Sequence, residues 1–233
     1  MNTPSASPAE QRTLVWDAPV RVFHWLMVLA FAGAWLTAES ERWRLLHVTL
    51  GYTMAGLVAF RLAWGLLGTR HARFASFVRG PRAVARYVGS LLRGDPERHV
   101  GHNPAGAVAI VALLGLAAFT TISGWATYHE LGGHALEEVH EAIASAMLAV
   151  VAVHVMGVVI SSLAHRENLV ASMLNGRKTV APEHGIRTAW RSVAAIVLVS
   201  VLGFWWMQFE GAPAASAGIA ATAHALAPGQ EDD

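Results

Sequence analysis

Four histidines lie within or at the edge of long apolar stretches: His24, His47, His140 and His154. Imidazole is costly to place in hydrocarbon, and ionisable groups found there are usually functional. A neutral imidazole can offer a hydrogen bond, a proton relay or a lone pair for a metal. His140 and His154 stand fourteen residues apart in LEEVHEAIASAMLAVVAVHVMG, residues 136–157. On a helix that interval is two heptads, so both rings share a face within about 40° and are about 21 Å apart along the axis. A hydrocarbon core is about 30 Å thick. One of the two imidazoles therefore lies near each surface of the layer.

The elements that position these residues follow from composition. The chain has 233 residues, 54% hydrophobic and only 14% charged, against about 25% charged in soluble proteins. A spanning helix takes about 20 apolar residues, and five runs qualify, near 22–38, 45–68, 105–128, 139–164 and 190–209. The first is short, but Asp17 and Pro19 make a cap and first turn just before it. The fold class expected is all-α: a polytopic membrane protein.

Charge orients it. The second connection carries Arg70, Arg73, Arg79, Arg82, Arg86, Arg93 and Arg98, and the fourth Arg166, Arg177, Lys178, Arg187 and Arg191. The third has only acidic charges, Glu130, Glu137 and Glu138, and in the first Arg42 and Arg44 are balanced by Glu39 and Glu41. The positive-inside rule then puts the N-terminus and the second and fourth connections in the cytoplasm, with the C-terminus outside. The first thirteen residues are polar, and no small-residue cleavage site follows a short apolar core, so an uncleaved first helix is expected rather than a signal peptide. The absence of cysteine excludes disulfides, Cys-ligated iron–sulfur clusters and covalent c-type haem attachment.

With this orientation the four histidines sort by depth. His24 begins the first helix on the inner side, and His47 begins the second on the outer side. The pairs are His24 with His154, inner, and His47 with His140, outer. Two imidazoles from facing helices at one depth suit axial ligation of a haem iron in a helix bundle. Two pairs imply two b haems stacked across the membrane. With both axial positions filled there is no open site for oxygen chemistry, and the work is electron transfer. Gly51, one turn after His47, and Gly157, near His154, leave room for a flat macrocycle, although small residues also serve ordinary helix packing. Arg61, fourteen residues after His47, reaches the inner depth and either meets a haem propionate or extends to the inner surface. Arg21 and, outside, Arg42 and Arg44 are weaker candidates for the same role.

The motifs VWDAPVRVFHW, the HVTLG around His47, RLAWG after Arg61, GHNP at 101–104, VHEAIASAMLAVVAVH and HRENLVASMLNGRK resemble the bacterial cytochrome b-561 family. That family includes the b-type cytochrome subunit of membrane-bound nickel–iron hydrogenases. The resemblance covers about residues 14–180. It implies a four-helix bundle holding b haem, with electrons exchanged between a quinone and a redox partner, and its ligands fall on His24, His47, His140 and His154.

The domain organisation expected is a cytoplasmic N-terminal segment over 1–21, a four-helix cytochrome domain over 22–180, a fifth spanning helix with its lead-in over 181–210, and a flexible periplasmic tail over 211–233. Within the second connection, PRAVARYVGSLLRG (81–94) alternates arginines with Val84, Val88, Leu91 and Leu92 at helical spacing. It reads as an amphipathic helix on the inner leaflet or as a solvated loop helix. His102 precedes the helix-start signature Asn103-Pro104 and lies within reach of a quinone. His165 sits beside Arg166 and Glu167 at the membrane edge, and His129 and His134 are solvated. The acidic cluster around His140 (Glu137, Glu138, Glu141) favours a helix N-terminus.

The partners expected are membrane lipid, a quinone, and a periplasmic cytochrome c or redox enzyme subunit meeting the outer acidic connection. A homodimer is compatible, and nucleic acid is not expected. The location implied is a bacterial inner membrane. Two further readings share these residues: a haem-bearing anchor subunit of a larger oxidoreductase, and a transporter relaying protons through histidine, although neither broken helices nor inverted repeats are evident.

Overall fold

The computed structural model describes residues 10–95 and 97–210. The tail expected over 211–233 and residues 1–9 of the N-terminal segment lie outside the described residues. Helix α1 spans Ala18–Thr37. The Asp17 side chain accepts from the Val20 amide at 2.9 Å, with Pro19 in the first turn, as the sequence leads one to expect. A single 3-10 turn, Glu41–Trp43, leads into α2, Arg44–Leu67. The connection that follows holds two helices, α3 (Phe74–Phe77) and α4 (Pro81–Leu92).

Helix α5 spans Pro104–Tyr128. Asn103 caps it by accepting from the Gly106 amide at 2.7 Å. Helix α6 spans Gly133–His165. It begins six residues before the apolar run at 139, because the acidic first turns carrying Glu137 and Glu138 are helical as well. At 1.5 Å per residue its 33 residues extend about 50 Å, well beyond a hydrocarbon layer of about 30 Å. It stops where Arg166 turns left-handed at φ 52°. A short helix α7, Leu169–Asn175, follows, and the last helix, α8, spans Arg191–Glu210. Helices α1, α2, α5, α6 and α8 are long and apolar enough to cross a membrane.

The spanning helices pack as α1 on α2, α2 on α5 and α5 along α6, with α8 laid against α1 outside these four. Their shared core is Ala30, Phe31 and Ala34 of α1, Leu50, Met54 and Val58 of α2, Ala117 of α5 and Met147 of α6. Lipid tails are as apolar as this core, so the helices associate by close packing, and the alanines permit the approach. Hydroxyls inside the bundle return to their own helices: Thr49 donates to the Leu45 carbonyl at 2.7 Å and Thr53 to Thr49 at 2.8 Å. The indole of Trp205 on α8 donates to the Thr53 hydroxyl at 2.8 Å. Trp205 thus faces inward, while Trp206 stays exposed.

One feature has no sequence signal. Strand β1 (Gln11–Leu14) pairs antiparallel with strand β2 (Arg177–Val180), Gln11 opposite Val180 and Leu14 opposite Arg177. The ribbon ties the segment before α1 to the connection between α6 and α8. Gly176 precedes β2 at φ +79°, and a Cβ there would come 2.7 Å from the Trp16 carbonyl oxygen. Both the backbone sign and the close approach require glycine.

Candidate functional site

The four histidines lie on α1, α2 and α6. The sequence intervals divide the bundle interior into three levels. Phe31 follows His24 by seven residues, Met54 lies seven after His47 and seven before Arg61, and Met147 is midway between His140 and His154. Phe31, Met54 and Met147 meet in the buried core. An apolar layer therefore separates the two histidine levels, each about 10 Å from it by helical rise.

At one level His47 and His140 face each other with ring centroids 6.4 Å apart. The Nδ1 of His47 is 2.8 Å from the Ala34 carbonyl oxygen, and that of His140 is 3.1 Å from the Thr120 carbonyl oxygen. A carbonyl only accepts, so both Nδ1 atoms carry the proton and both Nε2 atoms keep their lone pairs. Ser123 also lies 3.1 Å from His140 Nδ1. His47 and His140 are the residues that would hold an iron between them, each through its Nε2. Gly124 of α5 seats the His140 ring: a Cβ there would come 2.8 Å from its Cε1.

At the other level His24 and His154 lie within electrostatic reach of each other. The Nδ1 of His24 is buried without a hydrogen-bond partner. Arg61 is 2% exposed, so the alternative that it extends to the membrane surface is not what the structure shows. Its guanidinium carbon sits 4.8 Å from the centre of the Phe74 ring, and its Nη1 is buried and unpartnered. A buried cation with a free donor suits an anionic group such as a propionate.

His102 packs between Trp16 and Phe77, each ring 4.5 Å from its own. Its Nδ1 is enclosed and unpartnered. Burial, with Arg61 acting in the same sense, pushes its imidazole down to about 3.

Asp17 does more than cap α1. It is 1% exposed, and its second carboxylate oxygen accepts from the Trp64 indole at 3.1 Å and the Thr69 hydroxyl at 2.6 Å. It thereby fixes the end of α2, and with it Arg61, against the start of α1.

The remaining candidates divide. Gly51 is half-buried and has open space where a Cβ would project, as does the more exposed Gly157. Arg21 is turned toward other partners: it donates to the Asp17 carbonyl at 3.3 Å and the Leu174 carbonyl at 2.6 Å. His165 has its ring nitrogens on the Ser161 and Glu97 carbonyls at 2.9 and 3.3 Å, away from both pairs. His129 and His134 are exposed. Helix α4 is present, with Tyr87 and Ser90 buried and its arginines outward.

A metal held by protein alone takes three or four side chains. Among the described residues no cluster of three His, Asp or Glu suited to a metal is assembled. Pairs of imidazoles are sufficient where a macrocycle supplies the other bonds, and α6 packs closely along α5 while standing off from α1 and α2, whose histidines its own pair faces. The residues fit a flat haem.

Comparison with known proteins agrees. The model of the family described as prokaryotic cytochrome b561 matches residues 15–176. The probable Ni/Fe-hydrogenase B-type cytochrome subunit of Rhodobacter capsulatus is 25% identical across 71% of this chain and 80% of its own length. The probable Ni/Fe-hydrogenase 1 B-type cytochrome subunit of Escherichia coli K12 is 26% identical across 52% of this chain and 63% of its own length. The Cupriavidus necator counterpart is 31% identical across 51% and 59%. No solved structure gives a significant match. The chain belongs to the prokaryotic cytochrome b561 family and is a multi-pass membrane b-type cytochrome serving electron transport.

Proposed function

We infer that the protein carries electrons across a bacterial inner membrane between a redox partner on the periplasmic side and the membrane quinone pool, through two b haems. His47 and His140 hold the outer haem, and His24 and His154 the inner. Haem supplies one-electron chemistry when bound, and the chain's own residues set where it can act. The observation that carries this reading is the outer pair: 6.4 Å between ring centroids, with each Nδ1 on a backbone carbonyl. That arrangement leaves both Nε2 lone pairs free to hold one metal between the rings. A proton relay would need the same nitrogens free to exchange protons, and the carbonyls oppose this.

Further roles follow from placement. Gly51 leaves room for the macrocycle edge, and Gly124 seats His140. Arg61 neutralises a propionate of the inner haem. The arginine-rich connections support a cytoplasmic N-terminus, which puts His24, Arg61 and His102 on the inner side and the acidic Glu130, Glu137 and Glu138 outside. The relatives are named as subunits of nickel–iron hydrogenases, which supports a redox enzyme as the outer partner, docked on that acidic connection. A basic cytochrome c would suit the same surface. The quinone is assigned to the inner haem beside Arg61 and His102, where an enclosed, unpartnered imidazole nitrogen is available.

Single substitutions test the pairing. His24→Ala and His154→Ala should remove one and the same spectral component, and His47→Ala and His140→Ala the other. Loss of the same component in His24→Ala and His47→Ala would break the assignment. Stopped-flow reduction by a quinol analogue tests the quinone side. The outer haem should reduce more slowly once the inner one is removed, and an unchanged rate would place quinol outside.

A further inference from the structure

A cleft of about 260 Å³ runs between α1, α7 and α8. Arg21 lies at one end. The walls are Val22, Trp25, Leu26 and Leu29 of α1, Leu174 of α7 and Leu198 of α8. Leu29 and Leu174 are 62% and 60% exposed, so the cleft opens sideways toward lipid.

The charge at its mouth is unbalanced. Arg191 lies within electrostatic reach of Arg21. Neither takes part in an ion pair among the described residues. Asp17 is near Arg21 but is shared with Arg61, and its carboxylate oxygens are already taken by the Val20 amide, Trp64 and Thr69. Two arginines are held together by surrounding structure. Arg21 is fixed by the Asp17 and Leu174 carbonyls. The backbone leading into Arg191 is anchored because Ala18 donates to the Ala189 carbonyl at 2.8 Å and Trp190 packs on Trp64.

Depth matches on both helices. Leu29 is eight residues beyond Arg21 and Leu198 seven beyond Arg191, so both lie about 11 Å deeper by helical rise. A cationic mouth therefore leads into an apolar groove running toward the bilayer centre. At roughly 30 Å³ per water-sized group, the cleft accommodates eight or nine methylenes.

We propose that this groove binds one anionic phospholipid, its phosphate between Arg21 and Arg191 and an acyl chain along Trp25, Leu29 and Leu198. Charge complementarity selects this occupant. A zwitterionic lipid brings its own cation to the mouth, and a neutral quinone leaves both guanidiniums uncompensated. The site gives α8, which lies outside the haem-bearing helices, a defined role: it closes one wall and supplies one of the two cations. The proposal does not depend on where the haems are held.

The test is native mass spectrometry of the purified full chain, delipidated and then titrated with phosphatidylglycerol or with phosphatidylcholine of the same acyl chains. One phosphatidylglycerol should be retained per chain at concentrations about tenfold below those needed for phosphatidylcholine. Arg191→Gln should weaken retention about tenfold, and Leu198→Trp, which fills the groove and leaves the charge intact, should weaken it comparably. These variants are preferred because Arg21 also holds α7. Arg82→Gln on α4 should change nothing. Equal retention of the two lipids, no effect of Arg191→Gln or Leu198→Trp, an Arg82→Gln effect as large as that of Arg191→Gln, or competitive displacement by a short-chain quinone would each overturn the proposal.

Discussion

Replacing Arg61 by glutamine removes a unit positive charge from the inner level while keeping a polar side chain of similar reach. Loss of a nearby cation favours the oxidised, more positive form of a redox centre, so the midpoint potential of the inner haem should fall. For a centre about 10 Å away at an effective dielectric near 20, the lost interaction is about 1.7 kcal/mol, or about 70 mV for one electron. The outer pair offers an internal control. His47 is fourteen residues from Arg61 on one helix, about 21 Å by helical rise. The same arithmetic there gives less than about 35 mV before any screening. The assay is an optical redox titration of wild type and Arg61→Gln, following the two spectral components separately. The inner component should move down by tens of millivolts and by at least twice the shift of the outer. An outer shift as large as the inner, or no shift in either, would refute the placement of Arg61.

Gly124→Ala should lower occupancy of the outer haem alone, because the added Cβ comes 2.8 Å from His140 Cε1; the ratio of the two spectral components in purified protein checks this. Asp17→Ala should cost about 3 kcal/mol, since it removes a helix cap and charge-assisted bonds to Trp64 and Thr69. Asp17→Asn should cost less, and thermal melts in detergent compare the two. Acidification should loosen the end of the bundle that carries His71 and His102. Burial lowers both imidazoles, His102 to about 3 from 6.5, so the unfolded chain binds more protons below 6.5 and stability falls as pH falls through that value. For His102 the loss is about 1.4 kcal/mol by about pH 5.5. Melting temperatures at two pH values, in wild type and His102→Asn, measure it: the variant should lose less on acidification.

The parts of this molecule that were legible in the sequence are those that repeat along a helix. The fourteen-residue interval between His140 and His154, combined with arginine placement, was sufficient to sort four histidines into two levels, because helical rise converts sequence distance into depth. The caps Asp17 and Asn103 were legible for the same reason: their partners are three residues away. What carries no local sequence signal joins distant segments. Asp17 meets Trp64 and Thr69 across 47 and 52 residues, and nothing in its neighbourhood signals either. The strands β1 and β2 are four residues each with no alternating pattern, and they acquire strand character only by pairing. Trp205 near a helix end reads as an interfacial aromatic, and only the packing of α8 on the bundle reveals its bond to Thr53. Arg61 shows the intermediate case. Its depth was readable, but whether it reached water or stayed inside depended on Phe74 packing over it, with the Asp17 charge nearby.

The proposed function rests on four histidines making two haem sites. It is tested most directly by a pyridine haemochrome assay on the purified protein, set against protein concentration and paired with a reduced-minus-oxidised visible spectrum. Two non-covalent protohaems per chain with low-spin bands are expected. A folded protein that carries no haem, or a single haem in fully loaded preparations, would contradict it.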